Sequence, residues 1–329
     1  SRPGLARSAH PFRLTWHVGR ETRSFMVVSG ARTLAEVRGA APVLAEQLPF
    51  SRRHPVVWRL WRRKLGLVGL GIVVVVALAA VFAPWVAPHD PLAQDLKKRF
   101  AGPGTAGYLL GADAFGRDIL SRLIYGGRIS LVVGFSASIV ALGVGVPLGM
   151  ISGYRGGWVD GFMMRIVDVL LAFPYILLAI VIVGALGPGL RNTLIAVSVT
   201  SIPFYLRIMR SAVLAVKGLT FVEAARAIGA SDGRILRTAI LPAILPYVIV
   251  SFSISVGWLI LEAAGLSFLG LGAQPPDAEW GSMLAEHRQY ITIHPHTVYI
   301  PGLIILIVVI GLNLFGDALR DALDVTLKE

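Results

Sequence analysis

The sequence of 329 residues contains no cysteine, so neither a disulfide framework nor a thiolate metal site can form. It also has few charged residues: 15% of the chain is charged, whereas soluble domains carry about 25%. No phosphate-binding loop of the form Gly-x4-Gly-Lys-Ser/Thr occurs, so we expect that the chain does not bind ATP itself. No paired acids, metal site or nucleophile triad stands out either. We therefore predict no catalytic residues, no bound metal or cofactor and no enzyme activity.

What the sequence does have is apolar residues gathered into long blocks. Hydrophobic residues make up 55% of the chain, and the mean hydropathy is +0.70. Six blocks are long enough to cross a bilayer, which takes roughly 20 helical residues. The blocks are continuous rather than alternating, which argues against barrel strands. We therefore predict an all-α polytopic membrane protein with six transmembrane helices, at about 65–88, 129–154, 163–187, 192–209, 243–261 and 298–316.

Basic residues predict how these helices are oriented. Residues 1–64 contain 13 Lys and Arg against 3 Asp and Glu, and a basic group at 59–64 directly precedes the first block. Positive flanks stay in the cytoplasm. Six crossings then place the basic loop 210–242 and both termini in the cytoplasm of a cell-membrane protein. Because the arginines lie beside the blocks, we expect contacts with anionic membrane lipids rather than with nucleic acid.

A polar segment lies between the fourth and fifth blocks and reads EAARAIGASDGRILRTAILP over residues 223–242. Its first residues are strong helix formers. Gly229 permits the left-handed turn that ends a helix, and Ser231 with Asp232 can cap a second helix. Pro242 suits the first turn of the next span. The pattern predicts a helix, a tight turn and another helix at the membrane surface, either docked on a soluble partner or solvated without one.

This segment resembles the EAA loop of permease subunits in ATP-binding-cassette importers. That pattern is EAA, three residues, Gly, nine residues, Ile, one residue and Leu-Pro. Ala239 occupies the Ile position, so the match departs there. We call residues 217–242 the EAA-like segment. The resemblance implies that it couples the chain to an ATPase subunit through the matching residues Glu223, Ala224, Ala225, Gly229, Leu241 and Pro242.

Four longer stretches are similar to the "C" subunit of the dipeptide, oligopeptide and nickel permease family: 111–131, 155–174, 262–284 and 315–324. The resemblance implies a type I importer (MetI-like) permease fold over 65–329. It also implies a homologous second permease subunit, two ATPase subunits that bind ATP and Mg, and an external substrate-binding protein. Peptides are the expected solutes, and nickel or another small solute is the alternative. A stand-alone secondary transporter would show buried charge relays and inverted repeats, which we do not find.

Residues 1–58 lie outside the resemblance. Residues 12–28 alternate partly, as strands do, and 31–48 could form an amphipathic helix. Together they would make a small cytoplasmic subdomain. The expectation we carry forward is a basic cytoplasmic extension over 1–64.

Several polar residues near the blocks are candidate functional groups. Glu262 either faces the translocation path or is solvated at the interface, and with Ser267 and Phe268 it forms our candidate pathway or gate. The outer segment 262–284 contains an apolar stretch, 266–272, that is too short to span, so we expect this segment to fold back against the bundle and help close the path. Asp168 is either a functional intramembrane acid or the partner of an arginine, which would be Arg165 or Arg207. The external histidines either bind nickel or haem or belong to an ordinary polar loop: His287, His294 and His296.

Overall fold

The computed structural model describes residues 55–105 and 107–324. The strands expected at 12–28, the helix expected at 31–48 and most of the basic extension therefore lie outside the described residues. The described part is helical and contains no β-strand, only two isolated bridges that pair Thr105 with Tyr108 and Ala112 with Asp118. An all-α architecture, as the apolar blocks predict, is confirmed for this part of the chain.

Twelve α-helices follow one another along the described residues. Five stretches, including the continuous one from Asp232 to Phe268, are long and apolar enough to cross a membrane. The helices are α1 Pro55–Arg62, α2 Lys64–Val81, α3 Ala83–Val86, α4 Ile119–Arg155, α5 Gly157–Leu171, α6 Tyr175–Leu186, α7 Leu190–Val216, α8 Thr220–Ala227, α9 Asp232–Ile235, α10 Leu241–Phe268, α11 Trp280–His287 and α12 His296–Asp324.

The third apolar block is not one straight helix. Helices α5 and α6 are bent by 88° relative to each other, and they make the sixth span only if the pair counts as one. Pro174 precedes α6 and has no N–H to donate, and proline disfavours helical backbone in the residue before it, which is Phe173. The helix predicted over 163–187 is therefore broken into two helices at this proline.

The two ends of the bundle carry different structures. One end holds the start of α2 and the end of α12, which an ion pair between Arg63 and Asp321 joins at 3.1 Å. Helices α8 and α9 lie in the chain between α7 and α10 at this end, which we call the α8 end. The opposite end carries the loop before α4, the loop after α10 and helix α11, and we call it the α11 end.

The centre of the bundle is the contact between α4 and α7, where small residues let the two backbones approach. A Cβ atom added to Gly149 would lie 2.6 Å from the carbonyl oxygen of Leu206, and one on Gly145 would lie 2.6 Å from the Cβ of Tyr205. Gly153 continues the series one turn later, against Arg210. Small residues at every fourth position are a common solution for closely packed membrane helices.

A buried polar cluster joins the same two helices to α10. The hydroxyl groups of Ser138, Tyr205 and Ser255 are mutually hydrogen-bonded, with 2.6 Å between Ser138 and Tyr205 and 3.0 Å between the two serines. All three side chains are buried. Because polar atoms in an apolar interior need partners, this cluster fixes the relative position of α4, α7 and α10.

Candidate functional site

The EAA-like segment forms two short helices around a tight turn. Helix α8 ends in a turn in which the Ala230 N–H donates to the Ala225 carbonyl oxygen at 3.1 Å. Gly229 adopts φ +80°, a left-handed conformation that glycine accepts without steric cost. Helix α9 starts at Asp232, although the Ser231 side chain makes no capping hydrogen bond. The predicted helix, left-handed turn and second helix are confirmed, and the predicted side-chain cap at Ser231 is wrong.

A short π-helical stretch, residues 236–240, joins α9 to α10 without a break. Leu241 and Pro242 open α10, and Pro242 lies in its first turn as the sequence indicates. The helical path is therefore continuous from Asp232 to Phe268, a length of 37 residues. From Asp232 onward, the EAA-like segment and the fifth span therefore form one continuous helical element.

One side of the EAA-like segment is anchored in the bundle. Val222, Ile235 and Ile240 are fully buried. They pack in one apolar cluster with residues near the ends of α4 and α7, such as Met150 and Met209. The Tyr154 hydroxyl donates to Asp232 at 2.9 Å and fastens the turn to the end of α4.

The other side of the segment is free in this chain. Glu223, Ala224 and Gly229 are exposed, and the neighbouring Ile228 has 85% of its surface exposed. Ala225 and Leu241 are half-buried because they turn toward the anchoring cluster, and Pro242 is exposed. Of the six residues predicted to couple, Glu223, Ala224 and Gly229 thus face outward, Ala225 and Leu241 face the anchoring cluster, and Pro242 is exposed at the start of α10.

A second set of polar contacts braces the same end. Arg210 of α7 binds Asp160 of α5 through two hydrogen bonds of 2.5 and 2.6 Å. The Ser152 hydroxyl of α4 also donates to Asp160, and Lys217 donates to the Gly153 carbonyl oxygen at 2.9 Å. These contacts join α4, α5 and α7 into one connected unit at the α8 end.

Asp168 is paired with Arg207, as one of the two alternatives predicts. Their side chains approach to 2.6 Å, and both are more than half exposed. Arg165 takes no part in this pair, because Arg207 lies on the neighbouring helix α7 and reaches the carboxylate directly.

The candidate pathway residues separate into two places. Glu262 of α10 is buried, with 7% of its surface exposed, and lines a cavity of about 510 Å³. Ser267 is also buried but does not line this cavity; its neighbour across the turn is Gly272. Phe268 is 37% exposed and lies under the guanidinium of Arg288, 5.9 Å from the ring centre. The structure thus brings Glu262 to a cavity and places Ser267 and Phe268 at the α11 end.

The stretch after α10 folds back on the bundle, as its apolar sequence predicts. The indole N–H of Trp280 donates to the Leu123 carbonyl oxygen at 3.0 Å, and Trp280 is fully buried. The Glu279 side chain caps α11 by accepting the backbone N–H groups of Gly281 and Ser282, each at 2.9 Å. Ser130 of α4 donates to Glu279 at 3.0 Å, so α11 is tied to α4 by both apolar and polar contacts.

A buried ion cluster lies at the α11 end, and sequence reasoning did not identify it. Arg117 contacts Asp113 and Glu286, each at 2.6 Å, and Arg122 lies 3.3 Å from Glu286. The Ala114 N–H donates to His287 at 3.3 Å. Burial lowers the pKa of His287, the largest of several influences. One ligand atom each from Asp113, Glu286 and His287 lie within 4.8 Å of one another, but both carboxylates are already bound by guanidinium groups.

The three external histidines do not form a common site. His294 stacks on Phe100 with ring centres 4.0 Å apart. His296 contacts the Ala112 carbonyl oxygen at 3.4 Å, whereas His287 belongs to the ion cluster. Each ring thus has its own structural contact in the described part of the chain.

Comparison with known proteins places the chain among membrane transport components. Residues 145–329 match a family described as "Binding-protein-dependent transport system inner membrane component". Residues 51–103 match a second family, "N-terminal TM domain of oligopeptide transport permease C". The resemblance read from the sequence is confirmed by both matches.

Similar proteins align with most of the chain. The dipeptide transport system permease protein DppC of Alkalihalophilus pseudofirmus is 47% identical, and the alignment covers 88% of that protein and 82% of this chain. The glutathione transport system permease protein GsiD of Pectobacterium atrosepticum is 45% identical, and the alignment covers 90% of that protein and 82% of this chain. The di/tripeptide transport system permease protein DppC of Pseudomonas aeruginosa is 44% identical, and the alignment covers 97% of that protein and 88% of this chain.

A solved structure shares the fold. An inward-facing form of the MetNI methionine ABC transporter aligns with 61% of this chain and 95% of its own chain, with a TM-score of 0.52 and 22% identity. The predicted MetI-like permease fold is confirmed by this likeness.

Proposed function

Because the chain belongs to the family of inner-membrane components of binding-protein-dependent transport systems, we propose that it carries dipeptides and oligopeptides across the cell membrane. It forms one half of the translocation path and a homologous second permease forms the other half. The peptide assignment rests on relatives named for dipeptide, di/tripeptide and glutathione transport, since glutathione is itself a peptide.

The observation that carries the proposal is the two-sided EAA-like segment. Its exposed turn, with Glu223, Ala224 and Gly229, offers a small, close-fitting surface with one carboxylate that can bind a charged or backbone donor. Its buried side, with Val222 and Ile235, is packed into the ends of the spans. A soluble subunit that moves the exposed side must therefore move the spans as well.

This geometry supports a division of labour between subunits. Partner ATPase subunits bind ATP and Mg and hydrolyse the nucleotide, and this chain has no catalytic role. Their closing motion reaches the membrane through the segment. The motion is transmitted along the continuous helix from Asp232 to Phe268. At 1.5 Å per residue, about 45 Å of this helix separates Asp232 from Glu262. Such coupling needs two arrangements of the spans that nucleotide and substrate both bias.

The orientation belongs to the same proposal. The α8 end faces the cytoplasm, where the ATPases are, and the α11 end faces outward, where an external binding protein delivers the substrate. Membrane lipids surround the exposed apolar side chains of the spans. Residues 1–64 remain our proposed basic cytoplasmic extension, and 65–329 form the permease domain.

Uptake into proteoliposomes tests this function. The chain is purified with its second permease and ATPases, reconstituted, and supplied with the external binding protein and a radiolabelled dipeptide. We expect uptake that requires ATP inside the vesicles. Uptake without ATP would favour a secondary transporter, and uptake of nickel but not of dipeptide would replace the proposed substrate; either result contradicts the proposal.

A further inference from the structure

A cavity in the bundle is built around one carboxylate. The cavity measures about 510 Å³ and lies between α6, α7, α10 and α12, with Glu262 on its wall. Known ligand pockets range from about 300 to 1,000 Å³. Glu262 is the only charged residue among the described residues that line it.

The Glu262 carboxylate lacks a complete set of partners. The side chain is 93% buried, and its Oε2 atom is shielded from solvent and has no hydrogen-bond partner within 55–105 and 107–324. A buried carboxylate without an ionic partner is costly, and a positive group that enters the cavity would offset this cost. Glu262 is therefore the lining residue that would attract a cationic ligand.

The surrounding side chains suit an ammonium group. Tyr175 and Trp258 line the cavity and meet edge to face, with ring centres 5.3 Å apart. Trp258 precedes Glu262 by one helical turn, so the two side chains share a face of α10. Aromatic faces attract cations, and a carboxylate beside them gives the ammonium both a hydrogen-bond acceptor and a counter-charge.

The rest of the wall can accept the remainder of a short peptide. The amide of Asn313 lines the cavity and can bond to a peptide group, while Phe204 and Leu259 offer apolar surface. The hydroxyl groups of Thr200 and Ser201 also line it; they donate to helix carbonyl oxygens and can accept from a peptide N–H. A guanidinium or ammonium group that would bind the peptide carboxylate is absent from the described lining. The cavity thus selects for the positive end of a substrate.

We propose that this cavity is a transit subsite for the protonated amino group of the transported peptide, held by the Glu262 carboxylate beside Tyr175 and Trp258. This inference rests on the proposed peptide transport for the identity of the ligand. The preference for a cation, in contrast, follows from the cavity alone and can be tested separately.

A single cysteine in the cavity provides the test, because the chain contains none. Ser201→Cys introduces a thiol on the wall with little change in size. The assembled transporter, with partner cysteines replaced, is treated with methanethiosulfonate reagents that carry either an ammonium or a sulfonate. We expect faster labelling by the cation. Glu262→Gln should reduce the ratio of cation to anion rates about tenfold, or about 1.4 kcal/mol, and Glu262→Asp should retain most of it.

Protection by ligand identifies the group that binds. Alanyl-alanine should slow the labelling of the cysteine, whereas N-acetyl-alanyl-alanine, which has no ammonium, should not. Asp277→Asn is the matched control, since it removes an exposed carboxylate of the loop before α11 and should leave both measurements unchanged.

Each other outcome contradicts the inference. Equal rates for the two reagents in the presence of Glu262 would mean that a partner subunit already neutralises the carboxylate. Equal protection by the two dipeptides would mean that the amino group is not recognised. If the Glu262→Gln complex does not assemble, the protection assay with Glu262 intact still decides. Uptake of alanyl-alanine is measured in parallel: normal uptake without selective protection contradicts only the subsite, and lack of uptake contradicts peptide transport itself.

Discussion

At the scale of single residues, most ion pairs of the described structure lie at the α11 end. Asp113, Arg117, Arg122, Glu286 and His287 are brought together from positions up to 174 residues apart, the separation of Asp113 and His287 (287 − 113). Their separation in the chain explains why the sequence could not reveal the cluster: each looked like an isolated charge in an external loop. Gly229, by contrast, could be predicted, because the left-handed turn that requires it is a local feature.

His287 should make the stability of the protein depend on pH. Its neutral ring accepts the Ala114 N–H and its other nitrogen contacts the Met283 carbonyl oxygen at 2.9 Å. Burial lowers the pKa of His287 below the ordinary 6.5, although Asp113 and Glu286 oppose the shift and Arg117 adds to it. The unfolded chain therefore binds the proton first as the pH falls. We expect the free energy of unfolding to decrease below about pH 6.5, by at most about 1.4 kcal/mol per pH unit.

Thermal unfolding of the complex between pH 7.5 and 5.5 measures this effect. His287→Gln should flatten the dependence on pH in this range. The control His294→Gln should not, since that ring stacks on Phe100 outside the ion cluster. An unchanged slope in His287→Gln would show that another group is responsible.

At the scale of elements, apolar blocks and prolines predict where the helices lie but not how they pack. The blocks at 129–154 and 243–261 are parts of longer helices. Helix α4 begins ten residues before the first block, at Ile119, and the continuous helix Asp232–Phe268 extends beyond both ends of the second. The residues on both sides of Pro174 are apolar, so hydropathy alone could not show the 88° bend at this position. The glycines of α4 that pack closely against α7 show no partner in the sequence, because the contact is tertiary.

Gly149 should be essential to the contact between α4 and α7. The Cβ of a valine there would lie 2.6 Å from the Leu206 carbonyl oxygen and 2.8 Å from the Met209 Cβ, both too close for ordinary contact. We expect Gly149→Val to push the helices apart and to lower the apparent unfolding temperature of the complex, at a cost of about 1–3 kcal/mol.

Gly143→Val is the matched control on the same helix. A Cβ on Gly143 meets nothing within 4 Å, and the residue is exposed. This variant should unfold like the wild type. Equal unfolding temperatures for the two variants would contradict the packing argument.

At the scale of the whole molecule, the predicted topology places the turn at Ser231 in the cytoplasm and the exposed loop before α11 outside. The absence of cysteine allows a single one to be introduced at Ser231 or at Asp277. An impermeant thiol reagent applied to intact cells should label the cysteine at 277 and leave the one at 231 unlabelled until the membrane is opened. Labelling at 231 in intact cells would reverse the assigned orientation.

The overall architecture and family could be predicted from the sequence, whereas the cavity could not. The EAA-like segment lies within 26 consecutive positions, so its helices and turn are governed by local chemistry. The cavity draws its wall from α6, α7, α10 and α12. Glu262 was recognisable as an acid at the end of the fifth block, yet whether it faced the translocation path or the interface depended on tertiary packing.

Substrate-stimulated ATP hydrolysis by the reconstituted complex tests most directly whether the EAA-like segment couples ATPase and membrane. Gly229→Val forces a β-branched residue into φ +80° and should distort the exposed turn. Gly233→Val is the matched control, since Gly233 lies four residues on, is exposed, meets nothing within 4 Å and has no left-handed backbone. The account predicts that Gly229→Val, and likewise Glu223→Lys, loses stimulation about tenfold or more while the spans remain folded, and that Gly233→Val retains it. Wild-type stimulation in both Gly229→Val and Glu223→Lys would contradict the account.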